Sequence, residues 1–153
     1  MIDTSPSRRP GEPERPAPGV LIELTSAATW ELLSAEPAVV LLDCRTVAEW
    51  SFVGVPDLAS LHREPVLVEW TRFPDGSANQ GFLAELTAAG VTAEIPVAFL
   101  CRSGQRSHSA SLAAMQAGWR HVVNVVDGFE GPLGPSGHRD VAGWKVAGLP
   151  WRQ

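Results

Sequence analysis

The sequence predicts an α/β fold in which a parallel β-sheet is covered by helices on both faces. Three features of the chain point that way. Strand-like and helix-like segments alternate from residue 19 onward. Residues 38–44 (AVVLLDC) and 96–101 (PVAFLC) are apolar almost without a break, the pattern of strands buried on both faces. Residues 105–117 read as a helix with Ala110, Ala113, Ala114 and Ala117 along one side, a small-residue stripe that permits close packing on a sheet.

Taken in order, VLIEL (20–24) is a short apolar strand. Thr25 or Ser26 caps a helix that carries Trp30, Leu32 and Leu33 and stops before Pro37. After the strand at 38–44, Thr46 and Glu49 have the spacing of a capping box, so a short helix follows almost at once. PVLVEW (65–70) is the next strand, and FPDGSANQG is loop. Phe82, Leu83, Leu86 and Ala89 form a helical stripe with Gly90 at the C-terminal stop. The strand at 96–101 leads into the helix at 105–117, which Gly118 ends, and HVVNVV (121–126) is the last strand of the sheet. The Gly- and Pro-rich remainder holds a further short helix in VAGWKVAGLPWRQ.

The chain has 153 residues, 44% of them hydrophobic and 19% charged, enough for one domain with its own core. A net charge of −5 argues against nucleic-acid binding, so any functional positive charge is local. Residues 1–18, with SRRPGEPERPAPG, read as a disordered Pro-rich tail, and residues 19–153 as a single domain. The Arg pair in that tail lacks the apolar stretch an export signal requires. No run approaches the ~18 apolar residues of a membrane span. Two cysteines make no disulfide framework, and neither they nor the scattered His62, His108, His121 and His138 suggest a metal site. A reducing cytoplasm, with no metal or cofactor, is the expected setting.

The chemistry gathers around Cys101 in CRSGQRS (101–107). In an open parallel sheet, ligands bind beyond the carboxyl ends of the strands, and Cys101 lies at such an end. A helix begins within a few residues, so its free N–H groups and dipole point back toward the sulfur. Arg102 and Arg106 add full charges, and Gly104 lets several amides converge on one anion. Thiols in such surroundings titrate at roughly 3.5–7.5 instead of about 8.5. The bland alternative is a small core cysteine that merely ends a strand. It leaves two arginines and a glycine beside the thiol unaccounted for.

In order and spacing, LLDCRTVAEW (41–50), CRSGQRS, VVNVVDGFEG (122–131) and GWKVAGLPW (143–151) resemble the rhodanese-like family of single-domain sulfurtransferases over roughly residues 20–151. The resemblance implies a three-layer fold, a five-stranded parallel β-sheet with helices on both faces. It also implies a reaction, in which Cys101 takes a sulfane sulfur from a small anionic donor such as thiosulfate. The resulting persulfide hands that sulfur to a thiol or to cyanide. By the same resemblance the amides of Arg102, Ser103, Gly104, Gln105, Arg106 and Ser107 cradle the outer sulfur. Arg102 and Arg106 bind the donor and steady the departing sulfite. A second reading is a persulfide carrier or interaction module that serves a dedicated protein acceptor. A third is a phosphatase or arsenate reductase, but a phosphate-handling C-x5-R loop needs arginine at 107, where this chain has Ser107. The arginine at 106 makes a smaller cradle, better suited to sulfur.

Asp43 and Arg45 are expected to support the loop structurally, with Arg45 paired to an acid such as Glu49. Cys44 is expected to be a core thiol, a resolving thiol being the alternative. His108 should face away from the loop. The tryptophans are packing residues, with Trp70 or Trp144 a candidate for the pocket mouth. Val53, Gly54, Val55, Pro56, Asp57 and Leu58 replace the family's Gly-His-Ile-Pro-Gly-Ala. The long connection 131–143 is expected to be solvated surface.

Overall fold

In the computed structural model residues 19–153 are described, and the tail expected at 1–18 lies outside them. The elements are β1 Val20–Leu24, α1 Ser26–Ala35, β2 Val40–Asp43, α2 Val47–Phe52, β3 Val55–Pro56, a 3-10 turn Ala59–Leu61, β4 Val66–Leu67, α3 Phe82–Ala88, β5 Val97–Leu100, α4 Gln105–Gln116, β6 His121–Val125 and β7 Trp151–Arg152. Five of the strands form one sheet in the order β1-β6-β5-β2-β4, every pair parallel. The uninterrupted apolar strands β2 and β5 are interior to that order, which is why both of their faces need oily side chains. The edge strand β1 alternates, with Val20 and Ile22 exposed.

The two faces of the sheet bury different sets of side chains. Leu42, Phe99, Cys101 and Val122 pack under Phe82 and Leu86 of α3 and Ala110 and Ala114 of α4. Leu41, Ala98, Leu100, Val123 and Val125 pack against Leu33 of α1, Leu58, Phe129 and Trp144. Strand alternation therefore assigns Cys101 and Cys44 to the α4 side.

Local chemistry sets the helix starts. Thr25 caps α1 by accepting from Ala28 N. Thr46 and Glu49 close the expected capping box on α2. Asp127, just beyond β6, accepts from both the N and the Oγ of Ser26 at 2.8 Å, while Ser26 Oγ also reaches Gly128 O. The first turn of α1 is thereby tied to the turn that follows β6.

Three expectations change. The strand expected at 65–70 shrinks to β4, because Trp70 N reaches back to Cys44 O and the ladder loses its regular spacing. The buried face of α4 consists of Ser107, Ala110, Ser111 and Ala114, whereas Ala113 is half-buried and Ala117 is exposed at the helix end. The C-terminal helix does not form, since Gly143 and Gly148 adopt positive φ, which helices exclude. That segment instead ends in β7, antiparallel to β3, a two-residue strand too short to leave a periodic signal. The 131–143 connection is mostly exposed, with Leu133 and Val141 facing solvent.

Asp127→Ala strands the buried Ser26 N–H, so thermal unfolding should show a loss of about 1–2 kcal/mol. Thr25→Ala removes an exposed cap and should cost less; the opposite ranking would mean that the Asp127 tie carries no stability.

Candidate functional site

Strand β5 delivers Cys101 to the carboxyl edge of the sheet with only 1% of its surface exposed. The chain then turns at Gly104, whose φ of 100° is left-handed. A Cβ there would lie 2.2 Å from Val126 O, so glycine is required by space as well as by conformation. The turn aims Gly104 N at Cys101 Sγ, 3.1 Å away. Among the described residues, the amides of Arg102, Ser103, Gln105, Arg106 and Ser107 donate to no protein acceptor. These N–H groups of the loop and the first turn of α4 are available to an anion bound beside the sulfur.

The loop is braced from below. Phe129 N donates to Cys101 O at 2.8 Å, and the amides of Glu130 and Gly131 both donate to Arg102 O at 3.0 Å. At Gly128 a Cβ would meet Arg102 O at 2.3 Å, so the DGFEG turn fits under the cysteine loop only with glycine there. Beside the sulfur, Ser107 Oγ stands 3.2 Å from Sγ and donates to Asn124 Oδ1 at 2.6 Å. Asn124 Nδ2 donates to Gly104 O at 3.3 Å. Cys101, Ser107, Asn124 and Gly104 thus form a closed, buried ring.

The mouth of the site is a pocket of about 380 Å3 lined by Glu49, Cys101, Arg102, Ser103, Gln105 and Arg106. A larger cavity of about 730 Å3 lies at the other end of the sheet, among Val20, Ile22, Leu32, Val39 and Val97. Its lining is mostly apolar, with Glu36, Glu94, Arg120 and His121 also on it and no cysteine, so Cys101 lies on the smaller pocket alone of these two.

The charges differ from expectation in one respect. Arg45 does not pair with Glu49. It turns inward, donating from Nε and Nη2 to Asp43 at 2.9 and 2.7 Å and from Nη2 to Gly54 O, with its guanidinium 4.2 Å from the centre of the Phe129 ring. Asp43 and Arg45 are fully buried and act as internal support. Glu49 instead holds Arg106 through a two-point contact of 2.7 and 3.0 Å. Burial pushes the Glu49 carboxyl up, but the hydrogen bond and charge of Arg106, aided by the Thr46 amide, outweigh it and hold the group below its usual range. Arg102 is exposed and, among the described residues, makes no ion pair. Ser103 is half-buried and Gln105 exposed at the pocket rim.

Cys44 N donates to Leu100 O at 2.8 Å, so Cys44 follows β2 beside Cys101 on the neighbouring strand. Burial pushes its thiol well up, reinforced by the nearby Cys101 and the charge of Asp43, so it stays protonated. His108 Nδ1 stands 3.2 Å from Glu23 Oε1 and lines a recess with Ser103, Gly104, Gln105 and Asn124, so it borders the loop but not the pocket that holds Cys101. Trp144 is not at the pocket mouth: it is fully buried and donates to Pro150 O. Trp70 packs edge-on against Phe82. No group of three or more His, Cys, Asp or Glu converges as a metal site among the described residues. No helix among them is long and apolar enough to cross a membrane.

Comparisons with known proteins agree with the fold. The family model described as Rhodanese-like domain matches residues 25–132. An uncharacterized protein of Rickettsia conorii is 30% identical over 84% of this chain and 95% of its own length. The crystal structure of Rv0390 from M. tuberculosis superposes with a TM-score of 0.79 at 51% identity, covering 88% of this chain and 98% of that one. A polysulfide-sulfur transferase homodimer from Wolinella succinogenes shares the fold, with a TM-score of 0.57 at 20% identity over 86% of this chain and 78% of that one.

The depressed Glu49 group contributes stability above its unfolded value of about 4.3, and that contribution is lost as pH falls through the lower folded value. Wild type should therefore exceed Glu49→Gln in denaturant stability at pH 7, and the gap should narrow progressively as pH falls below the unfolded value of about 4.3. A gap independent of pH would remove the ion pair from the account.

Proposed function

The chain belongs to the rhodanese-like domain family, and from that premise we propose that it is a sulfurtransferase working through a persulfide on Cys101. The observation that carries this reading is a thiol at the end of β5 facing a small pocket, beside a loop and helix start whose amides lack acceptors. The Cys101 thiolate attacks the outer sulfur of a thiosulfate-type donor. A new S–S bond forms at Sγ, the donor's S–S bond breaks, and sulfite leaves with the bonding pair. The persulfide keeps its negative charge on the outer sulfur, where the amides from Arg102 to Ser107 stabilise it. A thiolate or cyanide acceptor then attacks that sulfur, and the Cys101 thiolate is released.

The arginines divide the work. Arg106 is already neutralised by Glu49, so Arg102 is the full charge that an approaching dianion meets first. Arg106 supplies its backbone amide and shapes the pocket wall. The cysteine loop places its arginine at 106, one residue short of the phosphate-handling C-x5-R spacing, which favours sulfur over phosphate or arsenate chemistry. Small anionic donors, thiol or cyanide acceptors and a reducing cytoplasm fit this reading, as does the polysulfide-sulfur transferase activity named for the Wolinella protein.

Incubation with thiosulfate should add a single sulfur to the intact protein, and Cys101→Ser should abolish the adduct. A wild type that stays unmodified, or an adduct that persists in the variant, contradicts the mechanism. Arg102→Ala should raise KM for thiosulfate about tenfold, the weight of one charge-assisted hydrogen bond, with little change for an uncharged polysulfide. Equal effects on both donors would remove the anion-binding role.

A further inference from the structure

We propose that Asn124 is a positioning residue that fixes the direction of the Ser107 hydroxyl and thereby sets how readily Cys101 ionises. This rests on Cys101 being the nucleophile of the proposed reaction. The ring around the sulfur can be followed proton by proton. Gly104 O can only accept, so the group that Asn124 turns toward it at 3.3 Å is the NH2. The other end, Oδ1, therefore faces Ser107 and can only accept. Ser107 has one hydroxyl proton, and it goes to Oδ1 across 2.6 Å. What Ser107 turns to Cys101 Sγ at 3.2 Å is a lone pair.

A lone pair at that position accepts from a thiol S–H and opposes an anion. For the thiolate to form, the Ser107 hydroxyl swings from Asn124 to the sulfur and leaves Oδ1 unpaired, or it stays and faces a negative charge. Both are unfavourable in a site where Ser107 is fully buried and Asn124 nearly so. Once the persulfide has formed, the charge sits on the outer sulfur, and Sγ, neutral and without a proton, no longer sets an anion against the Ser107 lone pair. Asn124 thus disfavours one state of the cycle, the thiolate, relative to the resting thiol and the loaded persulfide. The Gly104 amide donates to Sγ throughout.

Charges from every neighbouring element also act on this sulfur. They are Arg102 and Arg106 on the loop and α4, Glu49 on α2, Asp43 and its partner Arg45 with Cys44 after β2, and Glu23 and His108 across the recess that Asn124 lines. None is removed by a substitution at 124, and the Ser107→Ala background separates the hydroxyl's effect from the loss of the bond to Gly104 O.

The test is the pH profile of iodoacetamide alkylation at Cys101, read by mass on its peptide in the folded protein. Asn124→Leu keeps the bulk and removes both hydrogen bonds; Asn124→Ala is the second variant. Either should move the midpoint down by about one pH unit, the effect of one hydrogen bond redirected to a charged sulfur. In a Ser107→Ala background the same substitutions should leave the midpoint where it is. An unchanged or higher midpoint in the wild-type background, or an equal drop without Ser107, overturns the proposal. If neither variant folds, the infrared S–H stretch of the wild type, assigned by its loss in Cys101→Ser, decides. A band at the hydrogen-bonded position supports the ring, and one at the free-thiol position overturns it. Alkylation requires no sulfur donor, so failure of this inference and failure of the sulfurtransferase reading are separately visible.

Discussion

The close approach of Gly104 to the backbone of Val126 is the constraint on which the rest of the site depends. Because no Cβ fits between them, the chain can reverse within three residues of Cys101. That reversal aims one amide at the sulfur, starts α4 beside it, and places Ser107 against Asn124 of the neighbouring strand. Without it, β5 would still end in a cysteine, but α4 would begin too far away for its free N–H groups to gather around an anion. The parallel sheet supplies the rest of the precision: β6 and β2 flank β5, so whatever follows those strands lies beside Cys101.

Charge is handled by separation. The pair Asp43–Arg45 is sealed inside, where the carboxylate and a carbonyl take Nε and Nη2, the Phe129 ring lies against the guanidinium, and Nη1 has no hydrogen-bond partner. Breaking such a pair leaves an uncompensated buried ion, and its position just past β2 makes it an internal strut for the loop. Glu49 performs a different service at the mouth. It reaches from α2 to hold Arg106, which joins the capping box at the start of α2 to the first turn of α4. The same contact lowers the net positive charge facing substrate, so the site is gentler toward anions than its two arginines suggest.

Much of this was legible in the sequence because it follows from local rules. The apolar runs of β2 and β5 required burial on both faces, and Thr46 with Glu49 announced a helix start. Cys101 with its glycine and arginines marked the chemistry. What was not legible depended on contacts between distant segments. Glu49 had two arginines within reach, and only the inward turn of Arg45 toward Asp43 decides between them. Asn124 did leave a trace, as the one polar side chain within VVNVV, but a strand with its core face unknown gives no partner for it. The role of Asp127 follows from its placement beside α1, which the sheet order alone creates. The final glycine-rich segment carried helix-like spacing that positive φ at Gly143 and Gly148 overrides.

The central claim is that the cysteine loop is built to hold an anionic sulfur attached to Sγ. A crystal structure of the thiosulfate-treated protein tests it most directly. The account predicts one additional sulfur bonded to Cys101 Sγ, within hydrogen-bond distance of several amides between Arg102 and Ser107. An unmodified Cys101, or an added sulfur turned away from those amides toward solvent, would contradict it.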